Sequence, residues 1–192
     1  MPDDDLVTAP AVSIRRLEHT DELDALEPLW LALHRHHRTV LPDRLLVADD
    51  AVSWQRRRDV YRGWLDSGTA LALVAERDGH LVGYAFAHVI DGPDETFAVG
   101  RRYAELYSLS IAPEARGGGI GTRLLDELDR ELAAASIVDL VVAVMTGNHA
   151  ARRFYERRGL RAVETHYWRI ATEAPDSGGR AGESHMGDST GR

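Results

Sequence analysis

The chain has 192 residues, which is room for one domain of ordinary size. It contains no Cys, which excludes a cysteine nucleophile, a disulfide and a Cys-based metal site. All 23 of its Lys or Arg positions are Arg, which excludes a Schiff-base lysine and the lysine of a Walker phosphate loop. The net charge of −8 argues against a general nucleic-acid partner, which usually meets a basic surface.

The two ends differ from the middle in composition. Residues 1–11 are acidic and rich in Pro and Ala, which predicts a flexible leader, and they lack the apolar core of a signal peptide. Residues 172–192 hold almost no apolar side chain, which predicts a disordered tail. Residues 12–171 are therefore expected to form a single domain. No apolar run nears the roughly 20 residues that span a bilayer, so we expect a cytoplasmic protein without a membrane partner.

Apolar spacing within the predicted domain indicates alternating strands and helices. In chain order they are a strand at 12–17, helices at 20–37 and 51–66, strands at 70–77 and 81–90 joined by an Asp78-Gly79 turn, a strand at 103–112, a helix at 120–135, a strand at 138–145, a helix at 150–158, and one or two strands in 161–170. In the second helix Val52, Val60 and Trp64 are predicted to face inward. The nearly all-apolar strand at 138–145 is typical of a sheet centre covered on both faces. The order β-α-α-β-β-β-α-β-α-β(-β) predicts an α/β domain with a mixed sheet.

The stretch from Ile111 to Thr122 joins a predicted strand to the start of an amphipathic helix. It carries Arg116 and four glycines within five positions, at 117, 118, 119 and 121. Glycines let backbone N–H groups crowd around an anion, and the helix adds free donors and its positive dipole end. The stretch therefore predicts a pyrophosphate site, to which Arg116 can add a charged fork.

Other interpretations of this loop are an ordinary glycine-rich turn, a Walker loop and a dinucleotide-binding fingerprint. A Walker loop needs Lys where Thr122 follows Gly121. A dinucleotide fingerprint normally follows the first strand of its sheet, whereas three strands and two helices are predicted to precede this loop. A nucleotide-binding protein of another fold is therefore disfavoured.

Two motifs resemble those of the GNAT superfamily of N-acetyltransferases. The first is the strand at 105–111 followed by Arg116-x-x-Gly119-x-Gly121, which resembles the acyl-CoA signature of that family. The second begins at Asn148 and ends at Leu160; it resembles N-x-x-A-x-x-F-Y-x-x-x-G-F, with Leu160 in the place of the usual Phe. The resemblance implies a mixed, mostly antiparallel central sheet with a splayed strand pair, with acetyl-CoA as co-substrate and no metal.

The resemblance also implies which residues contact CoA. The glycine loop would hold the pyrophosphate, and the splayed strand would offer backbone groups of Leu109 and Ile111 to the pantetheine arm. Asn148 would add a hydrogen bond to that arm, although its place at a helix start also explains it as an N-cap. The expected binding residues are Leu109, Ser110, Ile111, Arg116, Gly117, Gly118, Gly119, Ile120, Gly121, Thr122, Asn148 and Tyr155.

Two residues are candidate catalysts. Tyr155 occupies the tyrosine position of the second motif and is the candidate general acid, because a phenol with a pKa of about 10 suits a leaving thiolate. The alternative role for Tyr155 is structural, in packing the helix on the sheet. Glu105 is the candidate general base and, six residues before Ile111, is predicted to share its strand face. An ion pair with a neighbouring arginine, Arg101 or Arg102, is the alternative for Glu105. His88 is a second candidate base, and a water chain would need neither.

The expected function is transfer of the acetyl group of acetyl-CoA to a primary amine of a small molecule or peptide. Direct attack in a ternary complex is favoured because no Cys is present to carry the acetyl group. A non-catalytic acyl-CoA-sensing module of the same fold is the alternative. The acidic net charge slightly favours cationic amines, and a homodimer is a tendency of the family. Residues near the acceptor are expected among His36, His37, Arg38 and Trp54.

Overall fold

The structure is a computed structural model that describes residues 11–41, 47–92 and 94–169. Within these ranges the chain forms one five-stranded sheet and four α-helices. The strands are β1 (Ser13–Arg16), β2 (Ala70–Arg77), β3 (His80–Asp91), β4 (Arg102–Ile111) and β5 (Leu140–Val141), and the helices are α1 (Glu27–Val40), α2 (Asp50–Asp66), α3 (Ile120–Ala134) and α4 (His149–Arg157). Apart from Ala11, the predicted leader and tail lie outside the described residues.

The strands follow one another across the sheet in chain order. The pairs from β1 to β4 are antiparallel, and β4 pairs with β5 in parallel. The predicted mixed, mostly antiparallel α/β fold is confirmed. Among the described residues, no helix is both long enough and apolar enough to cross a membrane.

Helices cover both faces of the sheet. On one face Tyr61 of α2 stacks on Phe86 of β3, with 3.6 Å between ring centroids. On the other face α3 packs against β3 and β4, where Ile111 and Ile120 together fill the space beside Gly83. Phe86 and Gly83 are three positions apart on one strand, so strand alternation places them on opposite faces. The buried core therefore has two layers, one under α1 and α2 and one under α3.

The first helices differ in detail from the prediction. The segment Thr20–Leu26 is a 3-10 helix, and the α-helix begins only at Glu27, with Pro28 in its first turn. Proline is favoured there because its missing N–H would have no helical partner. In α2 the aromatic residues Trp54 and Tyr61 take the buried face, while Val60 stays 36% exposed. The larger apolar area of the aromatic side chains outweighs that of valine.

The predicted central strand at 138–145 is wrong. Only Leu140 and Val141 form a strand, at the edge of the sheet, and Val138 is 85% exposed. The closing strands expected in 161–170 are also wrong as far as the structure describes them, because residues 161–169 form no strand. An apolar run indicates a preference for burial but does not reveal its neighbours. With no described segment on its outer side, β5 becomes an edge strand.

Candidate active site

β4 contains one extra residue at its middle. Phe86 of β3 is paired with Ser108, and the next residue, Ala87, is paired with Leu106, so Tyr107 has no partner on β3. This is a β-bulge, a feature that bends a strand and re-aims the side chains on either side of it.

β4 and β5 part just before this bulge. Their parallel pairing is limited to two positions, at Ala104 and Glu105, and beyond them no described strand lies on that edge of β4. The N–H of Ala112 donates to the Val82 carbonyl on the β3 side at 2.9 Å. Because N–H groups alternate in direction along a strand, those of Leu109 and Ile111 point toward the open edge. This is the edge where a splayed strand would offer its backbone.

The bulge also separates Glu105 from Ile111. Glu105 lies opposite His88, and Ile111 lies opposite Gly83. His88 and Gly83 are five residues apart on β3, so they and their partners face opposite sides of the sheet. The prediction that Glu105 and Ile111 share a face is wrong, because the extra residue Tyr107 reverses the alternation between them. Glu105 instead faces the α2 side, together with His88.

The glycine loop presents free backbone donors at the start of α3. Gly117 and Gly119 have φ angles of 80° and 75°, in the left-handed region that suits glycine. The N–H groups of residues 117–119 have no hydrogen-bond partner among the described residues. Gly119 is the N-cap of α3 without a side-chain cap, and the first turn holds no acidic residue. An anion is the ligand that these N–H groups and the helix dipole favour.

Arg116 and Ser110 differ in what they can add to this loop. Arg116 is exposed, and its Nε donates to the Ile111 carbonyl at 3.2 Å, so the side chain lies beside the open edge of β4. The Ser110 hydroxyl instead donates to the Leu29 carbonyl of α1 at 2.8 Å, and the residue is 3% exposed. The side chain of Ser110 therefore ties β4 to α1 and is not available to a ligand at the loop.

Helix α4 lies beside the glycine loop. The Asn148 Oδ1 accepts a hydrogen bond from the Ala151 N–H at 3.1 Å, which makes Asn148 the N-cap of α4. Phe154 packs near the loop, with its Cζ 3.8 Å from the position that a Cβ on Gly121 would take. The two motifs, far apart in sequence, are thus neighbours in the fold.

Tyr155 is buried next to Phe154. It is 9% exposed, and its hydroxyl makes no hydrogen bond with another described residue. Burial raises the pKa of its phenol to about 12, so the group keeps its proton at neutral pH. Burial thus keeps the proton on the phenol but makes Tyr155 a weaker acid than an ordinary phenol, whose pKa is the better match to a leaving thiolate.

Two candidate bases stand on the α2 side of β3 and β4. The His88 ring stacks on Trp64 with 4.0 Å between centroids. Burial lowers the pKa of His88, and the nearby Glu105 partly opposes that shift, so its imidazole is neutral at pH 7. Glu105 makes no ion pair with Arg101 or Arg102, both of which the structure describes, so the alternative role suggested for it finds no support.

An aromatic cluster around Arg57 completes this side of the site. The Cζ of Arg57 lies 4.0 Å from the Trp30 ring centroid and 4.1 Å from that of Tyr107. Sequence reasoning missed Arg57, which lies in a run of three arginines. The signal was its helical spacing of four and seven residues from Tyr61 and Trp64, which places it on the inward face of α2.

Only one of the four residues expected near the acceptor faces this cluster. His37 approaches the Trp30 ring edge-on, with 6.4 Å between centroids. Trp54 is buried in the core, and Arg38 pairs with Asp50 at 2.8 Å. The Nδ1 of His36 lies 3.5 Å from the Thr39 hydroxyl, one helical turn further along α1. In the described parts of the chain, no group of three or more His, Asp or Glu side chains is placed to hold a metal ion.

Known acetyltransferases are similar to this chain in sequence. A mycothiol acetyltransferase of Propionibacterium freudenreichii subsp. shermanii is 29% identical over 153 residues, which is 78% of this chain and 44% of that protein. An uncharacterized N-acetyltransferase of Archaeoglobus fulgidus is 32% identical over 121 residues, covering 59% of this chain and 77% of that protein. This chain thus spans less than half the length of the mycothiol acetyltransferase.

The fold has close structural neighbours. A predicted acetyltransferase from Clostridium acetobutylicum, solved with acetyl-CoA, superimposes with a TM-score of 0.63 at 16% identity, covering 84% of this chain and 96% of that one. The family model described as "Acetyltransferase (GNAT) family" matches residues 30–160, well over half of the sequence. The chain belongs to the acetyltransferase (GNAT) family.

Proposed function

We propose that this protein is an N-acetyltransferase that transfers the acetyl group of acetyl-CoA to a primary amine by direct attack in a ternary complex. The observation that carries the proposal is the set of free N–H groups in the glycine loop, placed beside the open edge of β4. Family membership supports acetyl-CoA as the co-substrate. The absence of Cys supports direct attack over a thioester on the enzyme.

The glycine loop and the open edge of β4 bind different parts of acetyl-CoA. The N–H groups of residues 117–119, with those of the first turn at Ile120, Gly121 and Thr122, hold the pyrophosphate. Arg116 is exposed beside them and adds a charged donor. The N–H groups of Leu109 and Ile111 bind the pantetheine arm and the thioester along the open edge of β4. The residues present fit this ligand, because the described parts of the chain offer these N–H donors no hydrogen-bond acceptor.

The chemistry needs a polarised carbonyl, a proton acceptor and a proton donor. When bound, acetyl-CoA supplies an activated thioester carbonyl, and the N–H of Ile111 donates a hydrogen bond to its oxygen. Glu105 or His88 accepts the proton of the attacking amine as the C–N bond forms. Tyr155 donates its phenolic proton to the sulfur as the C–S bond breaks. The amine approaches from the α2 side, where both candidate bases lie.

A screen of primary amines tests this function against the sensing alternative. CoA release is followed with a thiol reagent, which gives a clean signal because the protein has no thiol of its own. We expect release that depends on the amine, with one acetylated amine formed per CoA. Saturable acetyl-CoA binding without turnover on a broad panel would instead favour the non-catalytic acyl-CoA-sensing module.

A further inference from the structure

The guanidinium of Arg57 is held in place by aromatic rings from three elements. Trp30 of α1 and Tyr107 of β4 lie at 4.0 and 4.1 Å from its Cζ, and Tyr61 of α2 lies at 5.6 Å. Cation–π attraction stabilises a guanidinium among such rings. Cation–π contacts of this kind do not replace the hydrogen bonds to water that the enclosed Nη1 has lost.

This charge has no counter-ion within the described parts of the chain. Arg57 forms no ion pair with any described carboxylate, whereas its neighbour Arg58 pairs with Asp24 at 3.0 Å. The Nη1 of Arg57 is fully enclosed, and no described residue accepts a hydrogen bond from it. A half-buried cation with unpaired donors is unfavourable unless another group supplies acceptors and negative charge.

Arg57 stands next to the candidate reaction centre. Tyr107, which it contacts, is the bulge residue where β4 and β5 part. Glu105 lies two residues earlier on the same strand, roughly 7 Å away along it. The Trp64 ring lies 4.7 Å from that of Tyr107 and stacks on His88. A group bound to Arg57 would thus lie beside both candidate bases.

We propose that the acceptor carries an oxyanion, a carboxylate or a phosphate, and that Arg57 binds it beside the amine. The inference rests on the acetyltransferase function proposed above and names the class of its acceptor. A guanidinium matches both oxyanions through paired N–H donors. The oxyanion neutralises the charge of Arg57 and fixes the direction from which the amine reaches the thioester.

The same charge disfavours polycationic acceptors. The net charge of −8 suggested cationic amines, but the charge that an acceptor meets is the local one. A fixed guanidinium repels a second cation and favours the neutral, nucleophilic form of the amine. Its field also acts on His37: burial, with the charges of His36, His34 and Arg57, lowers the pKa of that imidazole to about 4.

Matched pairs of acceptors test the inference. The first pair compares L-amino acids, which carry a carboxylate, with the corresponding amino acid amides, which do not. The second pair compares O-phosphoethanolamine, which carries a phosphate, with ethanolamine. Spermidine represents polycationic acceptors. We expect kcat/KM to be at least about tenfold higher for the member of one pair that carries the oxyanion, and spermidine to be poor, since a hydrogen bond to a charged group has about this value. A preference within the first pair identifies a carboxylate, and one within the second a phosphate.

Substitution of Arg57 tests whether the preference for oxyanion acceptors depends on this residue. Arg57→Gln should lower kcat/KM for the oxyanion acceptor about 10- to 100-fold, mainly through KM, and change that of the analogue without the oxyanion little. Arg57→Lys keeps the charge without the fork and should fall between. Arg56→Gln, at an exposed position on the same helix, is the matched control and should match the wild type. If Arg57→Gln does not fold, kcat/KM of Arg57→Lys for the oxyanion acceptor provides the test.

A binding measurement separates this inference from the proposed function. Trp30 lies against Arg57, so a ligand bound there should change the Trp fluorescence of the protein, which comes from four Trp residues. We titrate the CoA-bound protein with N-acetyl amino acids, N-acetyl amino acid amides and N-acetyl-O-phosphoethanolamine. We expect saturation only with acids, lost in Arg57→Gln. Equal binding of acids and amides, or no binding of any, overturns the oxyanion site even if amines are acetylated. Acid-specific binding without any acetylation would contradict the function and leave the site standing.

Discussion

The role of Tyr155 depends on its keeping a proton. Burial raises the pKa of its phenol to about 12, so the acid form persists at neutral and mildly alkaline pH. Tyr155→Phe removes the donor but keeps the ring, and we expect kcat to fall about 100-fold with unchanged acetyl-CoA affinity. Steady-state kinetics and calorimetric titration measure the two quantities. Because a general acid must be protonated, this group should cause no loss of wild-type activity until the pH approaches that pKa.

A second tyrosine provides the control for this prediction. Tyr167 is 94% exposed, so Tyr167→Phe removes a phenol of the same kind from the surface and should leave kcat unchanged. A Tyr155→Phe enzyme with wild-type kcat would remove Tyr155 as the acid.

Single residues show where sequence reasoning succeeds. The N-cap role of Asn148 was predictable, because it depends on a contact three residues away. The face of Glu105 was not, because the extra residue Tyr107 becomes visible only when β4 is paired with β3. Arg57 was missed for a related reason, since its partner rings come from α1 and β4. Local contacts follow from sequence patterns, whereas strand register and long-range packing do not.

At the scale of elements, the loop before α3 depends on backbone conformation. Gly119 has a φ of 75°, and a Cβ there would meet no atom within 4 Å. Gly119→Ala should therefore destabilise the fold through strain alone, by about 1 to 2 kcal/mol. It should also weaken acetyl-CoA binding, because the methyl group stands among the free N–H groups. Urea unfolding and calorimetric titration measure the two effects.

Gly63 in the middle of α2 is the matched control for Gly119. A Cβ at Gly63 likewise meets nothing within 4 Å, but its backbone is helical. Gly63→Ala should stabilise the protein by up to about 1 kcal/mol and leave acetyl-CoA affinity unchanged. If both substitutions weakened acetyl-CoA binding equally, the loop would not be the pyrophosphate site.

Helix α4 offers a way to separate the two roles of Asn148. Asn148→Ala removes the cap oxygen that accepts from the Ala151 N–H, and should lower the free energy of unfolding by about 1 kcal/mol. Asn148→Asp keeps that oxygen but loses the amide N–H donors, so it should keep stability and weaken acetyl-CoA binding. Denaturation and calorimetric titration give the two quantities. Wild-type affinity in Asn148→Asp would leave Asn148 with a structural role only.

The elements themselves were largely predictable, with one informative exception. The predicted strand at 70–77 and the helix beginning at 120 match the structure, because their apolar periodicity is set within each segment. The apolar run at 138–145 forms only a two-residue edge strand. Whether such a run lies at the centre or the edge depends on pairing with other segments, and residues 161–169 do not supply that pairing.

The stability of the whole molecule should depend on pH through His37. Burial is the largest cause of the lowering of its pKa from 6.5 to about 4. Between these two values the unfolded chain binds more protons than the folded one, so stability is lost as the pH falls through this window. His37→Gln should reduce the fall in Tm between pH 6.5 and pH 4, as measured by calorimetry. His80→Gln, at an exposed position, should not.

The outcome that contradicts this expectation is an unchanged pH dependence of Tm in His37→Gln. Lowering of the His88 pKa adds a contribution in the same direction, so some pH dependence should remain in that variant. The whole-molecule charge gives no guide to these effects. They arise from two half-buried imidazoles, His37 and His88, whose pKa values are lowered mainly by desolvation.

The central claim is that the glycine loop and the open edge of β4 together bind acetyl-CoA. Isothermal titration of the protein with acetyl-CoA, CoA and ATP tests it most directly. We predict saturable one-to-one binding of acetyl-CoA and CoA, with ATP weaker because it has no pantetheine arm to occupy the strand edge. Binding of ATP without binding of either CoA species would contradict the account.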